Sequence, residues 1–84
     1  MRALTGDVRL ITGLSGSLVR LQALQGTYDA ARATNAFGYA DFTGLAAGSY
    51  VAYFATGFSG DSPVWSPGVP VQVVGGQRSD HRLR

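Results

Sequence analysis

The sequence predicts an all-β domain, two layers of antiparallel strands packed face to face, with about seven short strands in all. Three observations predict it. Apolar side chains return at every second position in run after run, and no stretch sustains the 3.6-residue period of a helix. Glycine punctuates the chain at twelve of its 84 positions. Lys and Glu are absent: all seven basic residues are Arg and all five acidic ones are Asp, so two strong helix formers are missing.

The elements follow in order. Residues 6–12 alternate Val8, Leu10 and Thr12 against Arg9 and Ile11, a strand with one dry face. Residues 13–16 are a loop in which two Gly flank Leu14 and Ser15. Residues 18–24 place Val19, Leu21 and Ala23 on one face and Arg20 and Gln22 on the other. Residues 27–33 form a strand of weaker pattern, with Tyr28, Ala30 and Arg32 opposing Asp29, Ala31 and Ala33. Asn35-Ala36-Phe37-Gly38 is a turn, since Asn and Gly both tolerate positive φ. A short strand then ends at Phe42, with Ala40 and Phe42 inward and Tyr39 and Asp41 outward.

A second turn is expected at 44–48 and a strand at 49–56, with Tyr50, Ala52 and Phe54 inward. Strands joined this closely are expected to lie antiparallel, because parallel neighbours need a crossover of a dozen or more residues. Residues 57–68 read as a long loop holding Phe58, Asp61, Pro63, Trp65 and Pro67. Residues 69–74 alternate Val69, Val71 and Val73 with Pro70 and Gln72; Pro70 cannot donate to a ladder, which marks an edge strand or a nitrogen turned away. Gly75-Gly76 turns the chain into a last strand over 78–84, where His81 and Leu83 share a face.

The whole chain, 1–84, reads as one domain, too small to bury more than about two-thirds of its unfolded surface. Charged residues make up 14% of the chain, against a usual ~25%, which leaves a surface suited to packing against neighbours. The net charge of +2 is too small to predict a nucleic-acid or anionic-membrane partner. There is no Cys, hence no disulfide and no thiolate metal site. Nothing near Met1 reads as a signal peptide, and no apolar run approaches the ~20 residues that span a bilayer.

The order Gly6-Asp7-Val8, Gly16-Ser17-Leu18-Val19-Arg20-Leu21, Thr34-Asn35-Ala36-Phe37-Gly38-Tyr39-Ala40-Asp41-Phe42-Thr43-Gly44-Leu45, Ala47-Gly48-Ser49-Tyr50, Val71-Gln72-Val73 and Gly76-Gln77 resembles the prealbumin-like β-sandwich of carboxypeptidase regulatory-like domains and collagen-adhesin B-type repeats. The resemblance covers nearly the whole chain and implies a small Greek-key, Ig-like sandwich. This sequence departs from that pattern at three points. Asn35 and Phe37 stand where the family carries turn Asp or Asn residues, which weakens a calcium reading. Ala40 stands where the family has a large inward aromatic. The family's Lys–Asn isopeptide cross-link is impossible without Lys.

No catalytic constellation is legible. His81 is the sole imidazole, and Asp80 beside it points to the opposite face of a strand, so it cannot orient the ring. Asp7, Asp29, Asp41, Asp61 and Asp80 are scattered. Gly13-Leu14-Ser15-Gly16-Ser17 lacks the last Gly of a nucleophile elbow, and no phosphate loop or zinc spacing occurs. The chain is therefore expected to be no enzyme and to need no cofactor or metal. What stands out is outward aromatic surface: Phe37 at a turn tip, Phe58 and Trp65 in the long loop, and Tyr39 and Tyr53 facing out of their strands. These five are the candidate partner-binding residues.

The expected function is a structural or interaction module that packs against protein partners, possibly capsid or tail proteins or further copies of itself, in a phage-type virion as a decoration or tail protein. Such a module is expected at a virion surface or outside the cell. Two alternatives stand beside it: a spacer or accessory repeat of a secreted enzyme or surface adhesin, and a carbohydrate- or small-ligand-binding sandwich using Trp65, Tyr53 and Tyr39.

Overall fold

The computed structural model describes residues 4–83, which form eight strands and no helix. In chain order they are β1 (Thr5–Ile11), β2 (Leu18–Ala23), β3 (Asp29–Ala33), β4 (Tyr39–Ala46), β5 (Gly48–Ser59), β6 (Ser62–Trp65), β7 (Val69–Val73) and β8 (Arg78–Arg82). They make two sheets: β4-β1-β8, and β3-β2-β5-β6 with β7 also paired to β5. One core cluster joins them, Val8, Leu10, Ala40, Phe42 and Leu45 from the first sheet meeting Val19, Leu21, Tyr50, Ala52, Val71 and Val73 from the second. The inward set is the one that two-residue alternation requires. Arg84 and the first three residues lie outside the described residues, so the last position of the expected 78–84 strand does too.

Four features differ from the sequence reading. First, β4 and β5 are not neighbours. Only Ala47 separates them, yet β4 lies in the first sheet and β5 in the second. A short link between extended segments can turn a corner between layers as well as a hairpin within one. The Tyr50 hydroxyl ties this corner by donating to the Ala46 carbonyl, 2.7 Å, as the tyrosine corners of other sandwiches do.

Second, the turn expected at 44–48 is a bulge inside β4. Gly6 faces Leu45 and Val8 faces Phe42, so Thr43 and Gly44 together oppose Asp7. Gly44 adopts φ +68° and donates its N–H to Asp7 Oδ1, 3.2 Å. The extra residue resets the alternation, and Leu45 joins Ala40 and Phe42 on the buried face.

Third, the long loop expected over 57–68 is mostly a hairpin. β5 runs twelve residues to Ser59, turns at Gly60-Asp61 and returns as β6. After a break at 66–68, β7 resumes on the same edge of β5, from Val69 opposite Ala52 to Val73 opposite Gly48. Ser66 holds the break closed: its N–H donates to the Phe54 carbonyl at 2.8 Å, and its hydroxyl accepts from the Phe54 N–H at 3.1 Å. Pro63, Pro67 and Pro70 all fall on this edge segment, where a missing N–H costs no ladder bond.

Fourth, β8 is parallel to β1, with Val8 opposite Ser79 and Leu10 opposite His81, so the strands are not all antiparallel. The chain leaves β7 at the end of the sandwich where β1 begins and enters the first sheet there, so β8 must run in the direction of β1. The crossover that a parallel pair needs is supplied by everything between them.

The loops at one end are strapped together by Thr34. Its hydroxyl donates to the Leu14 carbonyl and accepts from the Ser17 N–H at 2.8 Å, while its N–H donates to the Ser17 carbonyl at 2.8 Å. Thr34 is buried, so an isosteric Thr34→Val replacement leaves two partners unsatisfied and should cost about 2 kcal/mol. That is a fall in melting temperature of roughly 10 °C for a domain this size. Thr34→Ser, which keeps the hydroxyl, should recover most of it. Thermal melts of the two variants check this, and equal melts for Val and wild type would remove the strap from the account.

Candidate functional site

The first end of the sandwich carries the loop 12–17, the turn 35–38 and the β5–β6 hairpin. The turn is built by Asn35, whose Oδ1 accepts from the Phe37 N–H at 2.9 Å and from the Tyr39 N–H at 3.3 Å, and whose carbonyl accepts from the Gly38 N–H at 3.0 Å. This pushes Phe37 outward, 80% exposed. Its ring stacks on Tyr39, 6.3 Å between centroids and 18° between planes. The Arg9 guanidinium lies over the Tyr39 ring at 3.9 Å and holds Asp41, Nε to Oδ1 2.8 Å. Phe37, Tyr39, Arg9 and Asp41 thus form one row on the outer face of the first sheet.

Tyr53 and Trp65 lie on the outer face of the second sheet, their rings 6.4 Å apart and tilted by 59°. Arg20 sits beside both, 5.9 Å from the Tyr53 ring and 5.7 Å from the Trp65 ring, and donates from Nε to Asp29 Oδ1 at 2.8 Å. That hydrogen bond holds the Asp29 carboxyl below the usual carboxylate range and raises the Arg20 guanidinium. The two rings pack on each other and on Arg20. Among the described residues there is no cavity or cleft.

Beyond Phe54 the β5–β6 hairpin has no sheet beneath it. It projects as an arm from a molecule whose extents are 46 × 26 × 17 Å. Nearly every residue from 56 to 64 is exposed. Phe58, 63% exposed, shares a face with Pro63 opposite it, and Val64 lies exposed on the other face. A two-stranded hairpin alone is marginal in water, so an arm with apolar residues on both faces gains most from being covered.

The five sequence candidates therefore do not form one patch. Phe37 with Tyr39, and Tyr53 with Trp65, stand on opposite outer faces, and Phe58 stands on the arm; Phe58 and Trp65 are on strands, not in a loop. Sequence reasoning missed the exposed Leu4, Leu14, Leu24, Val64 and Val74, and the roles of Arg9 and Arg20 in the aromatic rows. A signal for the arm was present: Gly60-Asp61 between two β-forming runs is a two-residue hairpin turn.

His81 is half-buried, and its Nε2 is buried with no hydrogen-bond partner, while Asp80 is exposed and pairs with Arg78 at 3.1 Å. Among the described residues no three of His, Cys, Asp or Glu gather as a metal site, and no helix is long and apolar enough to cross a membrane. No known family model, curated protein or solved structure matches this chain.

Proposed function

We propose that this chain is a non-catalytic packing module, a small sandwich whose exposed apolar ends are covered by protein neighbours in a larger assembly. The observation that carries it is the β5–β6 arm, which holds Phe58 and Val64 in water beyond the end of the core. Aromatic side chains held in that way are what interfaces use as anchors. The setting we assign is a phage-type virion, as a decoration or tail component. It rests on architecture, since a particle built from repeated contacts needs small rigid units with apolar surface at defined places.

The Greek-key, prealbumin-like reading belongs to the same proposal. What supports it is where the resembling residues fall: Tyr39 to Phe42 on β4 and Gly48 to Tyr50 at the corner that opens β5. A second reading, a spacer repeat in a string of domains, is favoured by the apolar residues at the opposite end as well, Leu4, Leu24 and Val74.

The test is co-assembly of the chain with the proteins encoded beside it, followed by sedimentation. Phe58→Ser should weaken co-assembly at least about tenfold, the ~1.4 kcal/mol or more that an interface anchor is worth, and leave the melting temperature within a few degrees. Loss of fold and assembly in equal measure would place Phe58 in the stability of the domain and not in an interface. A chain that joins no neighbour at all would overturn the reading.

A further inference from the structure

Among the described residues the two sheets end in four strand edges, β4 and β8 on one, β3 and the β6–β7 segment on the other. An open edge offers unpaired N–H and carbonyl groups to any extended chain, and folds close such edges with charge, proline or bulges. Three of the four are closed. On β4 the backbone N–H and carbonyl of Tyr39 are both taken by Asn35, and the Gly44 N–H is taken by Asp7 at the bulge. On β8 the Gln77 carbonyl accepts from the Asp7 N–H and the Leu83 N–H donates to the Ile11 carbonyl. Alternation then turns outward the backbone of Arg78, Asp80 and Arg82, all of them charged. The β6–β7 edge is interrupted by Pro63, Pro67 and Pro70.

The β3 edge differs. The Thr34 N–H donates to the Ser17 carbonyl and the Ala23 N–H to the Tyr28 carbonyl, with Arg32 opposite Val19 and Ala30 opposite Leu21 between them. The even-numbered residues therefore bond to β2, and Asp29, Ala31 and Ala33 turn three N–H and three carbonyl groups outward. Their side chains are two methyl groups and a carboxylate already held by Arg20. β3 contains no Gly, Pro or bulge. Its one guard is Arg32, exposed but on the core side of the strand with Tyr28 and Ala30, its guanidinium 5.4 Å from the Phe42 ring centre. Among the described residues Arg32 is in no ion pair.

We infer that β3 accepts an extended segment of a partner protein as one further antiparallel strand, with an Asp or Glu of that segment set beside Arg32. The inference goes beyond the packing-module reading and uses another surface, since β3 shares no residue with the arm. Arg32 decides the chemistry of the segment. An apolar residue beside it would cover the guanidinium without a counter-charge, whereas a carboxylate pairs with it, so the charge that bars most strands admits an acidic one. Arg32 also decides against a second copy of this chain. The pairing joins odd residues to odd and even to even, and Asp29 is odd. Two β3 strands related by a two-fold axis would set Arg32 against Tyr28, Ala30 or Arg32 of the second copy, and never against a carboxylate.

The test titrates the full chain with a seven-residue peptide, its ends blocked, carrying Thr at odd positions and Val, Glu and Val at even ones. Binding is followed by amide NMR signals and hydrogen exchange. In the free chain the Asp29, Ala31 and Ala33 amides should exchange fast and the Ala30 and Arg32 amides slowly. The peptide should slow the first three, with a dissociation constant of roughly 10⁻⁴–10⁻³ M for so short a strand. Lys in place of the peptide's Glu should weaken binding roughly three- to thirtyfold. Arg32→Glu should reverse that preference and Arg32→Gln should abolish it, a pattern that a merely structural role for Arg32 would not produce. Ala31→Pro removes an outward N–H that no ladder bond uses, so it should abolish peptide binding and leave the melting temperature within a few degrees.

Unchanged exchange at Asp29, Ala31 and Ala33 with the peptide at several times the upper end of that range overturns the inference. Equal binding of the Glu and Lys peptides does so too, because Arg32 would then select nothing. Slowing of the same three amides by rising protein concentration alone, with no peptide present, would mean that β3 pairs with itself, and overturns it as well. None of these outcomes touches co-assembly through Phe58, so the packing-module reading stands or falls separately.

Discussion

Phe42→Ala should leave this domain folded only marginally, with a melting temperature lower by roughly 15–30 °C. Phe42 is the largest fully buried side chain, at 0% exposure. It stands on β4 opposite Val8, and the Arg32 guanidinium covers its ring from β3 at 5.4 Å. Removing it combines lost transfer free energy with the cavity left behind, about 3–5 kcal/mol for a buried Phe. A chain of this length is expected to have only about 4–13 kcal/mol of stability in all. The neighbours can relax little, because Phe42 is fully buried between Val8 on β1 of its own sheet and Arg32 on β3 of the other. Phe42→Leu keeps most of the volume and should cost under about 1.5 kcal/mol. Urea titrations of the three proteins check the order. A Phe42→Ala midpoint within about 5 °C of wild type on heating would mean that the ring does not fill the centre of the core.

Gly38→Ala is expected to be nearly as damaging although it adds only one methyl group, because Gly38 is buried. Gly38 has φ +84°, where a side chain costs about 1–2 kcal/mol. An added Cβ would also lie 2.7 Å from both Cα and carbonyl carbon of Gly13 and 2.8 Å from the Leu14 nitrogen, all backbone atoms that cannot rotate away. The backbone approaches this closely because the Gly38 carbonyl accepts from both Thr12 N–H, 2.9 Å, and Gly13 N–H, 3.1 Å. Either those bonds break or the turn moves, and the total should reach about 3 kcal/mol. Gly16→Ala is the control: its φ is similar, +70°, but nothing lies within 4 Å of its added Cβ, so it should cost only the conformational part. Equal melting temperatures for the two variants would show that the close approach at Gly38 carries no energy.

The inward residues were legible because alternation is a local property. Val8 and Leu10, Val19 and Leu21, Ala40 and Phe42, and Tyr50 and Ala52 each declare their face within a run of a few residues. The edge position of Pro70 was legible for the same reason, through its missing donor. Of the candidate surface, Phe37 was legible because Asn35 and Gly38 announce the turn that exposes it. Leu14 and Leu24 were not, since a lone Leu in a Gly-rich loop reads equally as a lid on the core. The hairpin over 55–65 was passed over because Gly57, Gly60, Pro63 and Pro67 punctuate it as heavily as a loop. An edge strand tolerates that punctuation where a central strand would not.

Local pattern by itself determined that this protein is built of strands, which side chains each of them buries, and that no group of reactive residues lies close in sequence. Which strand lies beside which was decided only in three dimensions. A backbone N–H bonds to any carbonyl equally well, so nothing in residues 39–50 distinguishes a hairpin from a corner between layers, and nothing in 78–82 distinguishes a parallel from an antiparallel neighbour. Those choices were made by the burial of Phe42, Leu45 and Tyr50 against both sheets at once. They also gathered the exposed apolar residues at the two ends, because the flanks of each layer are where Arg and Asp meet across neighbouring strands.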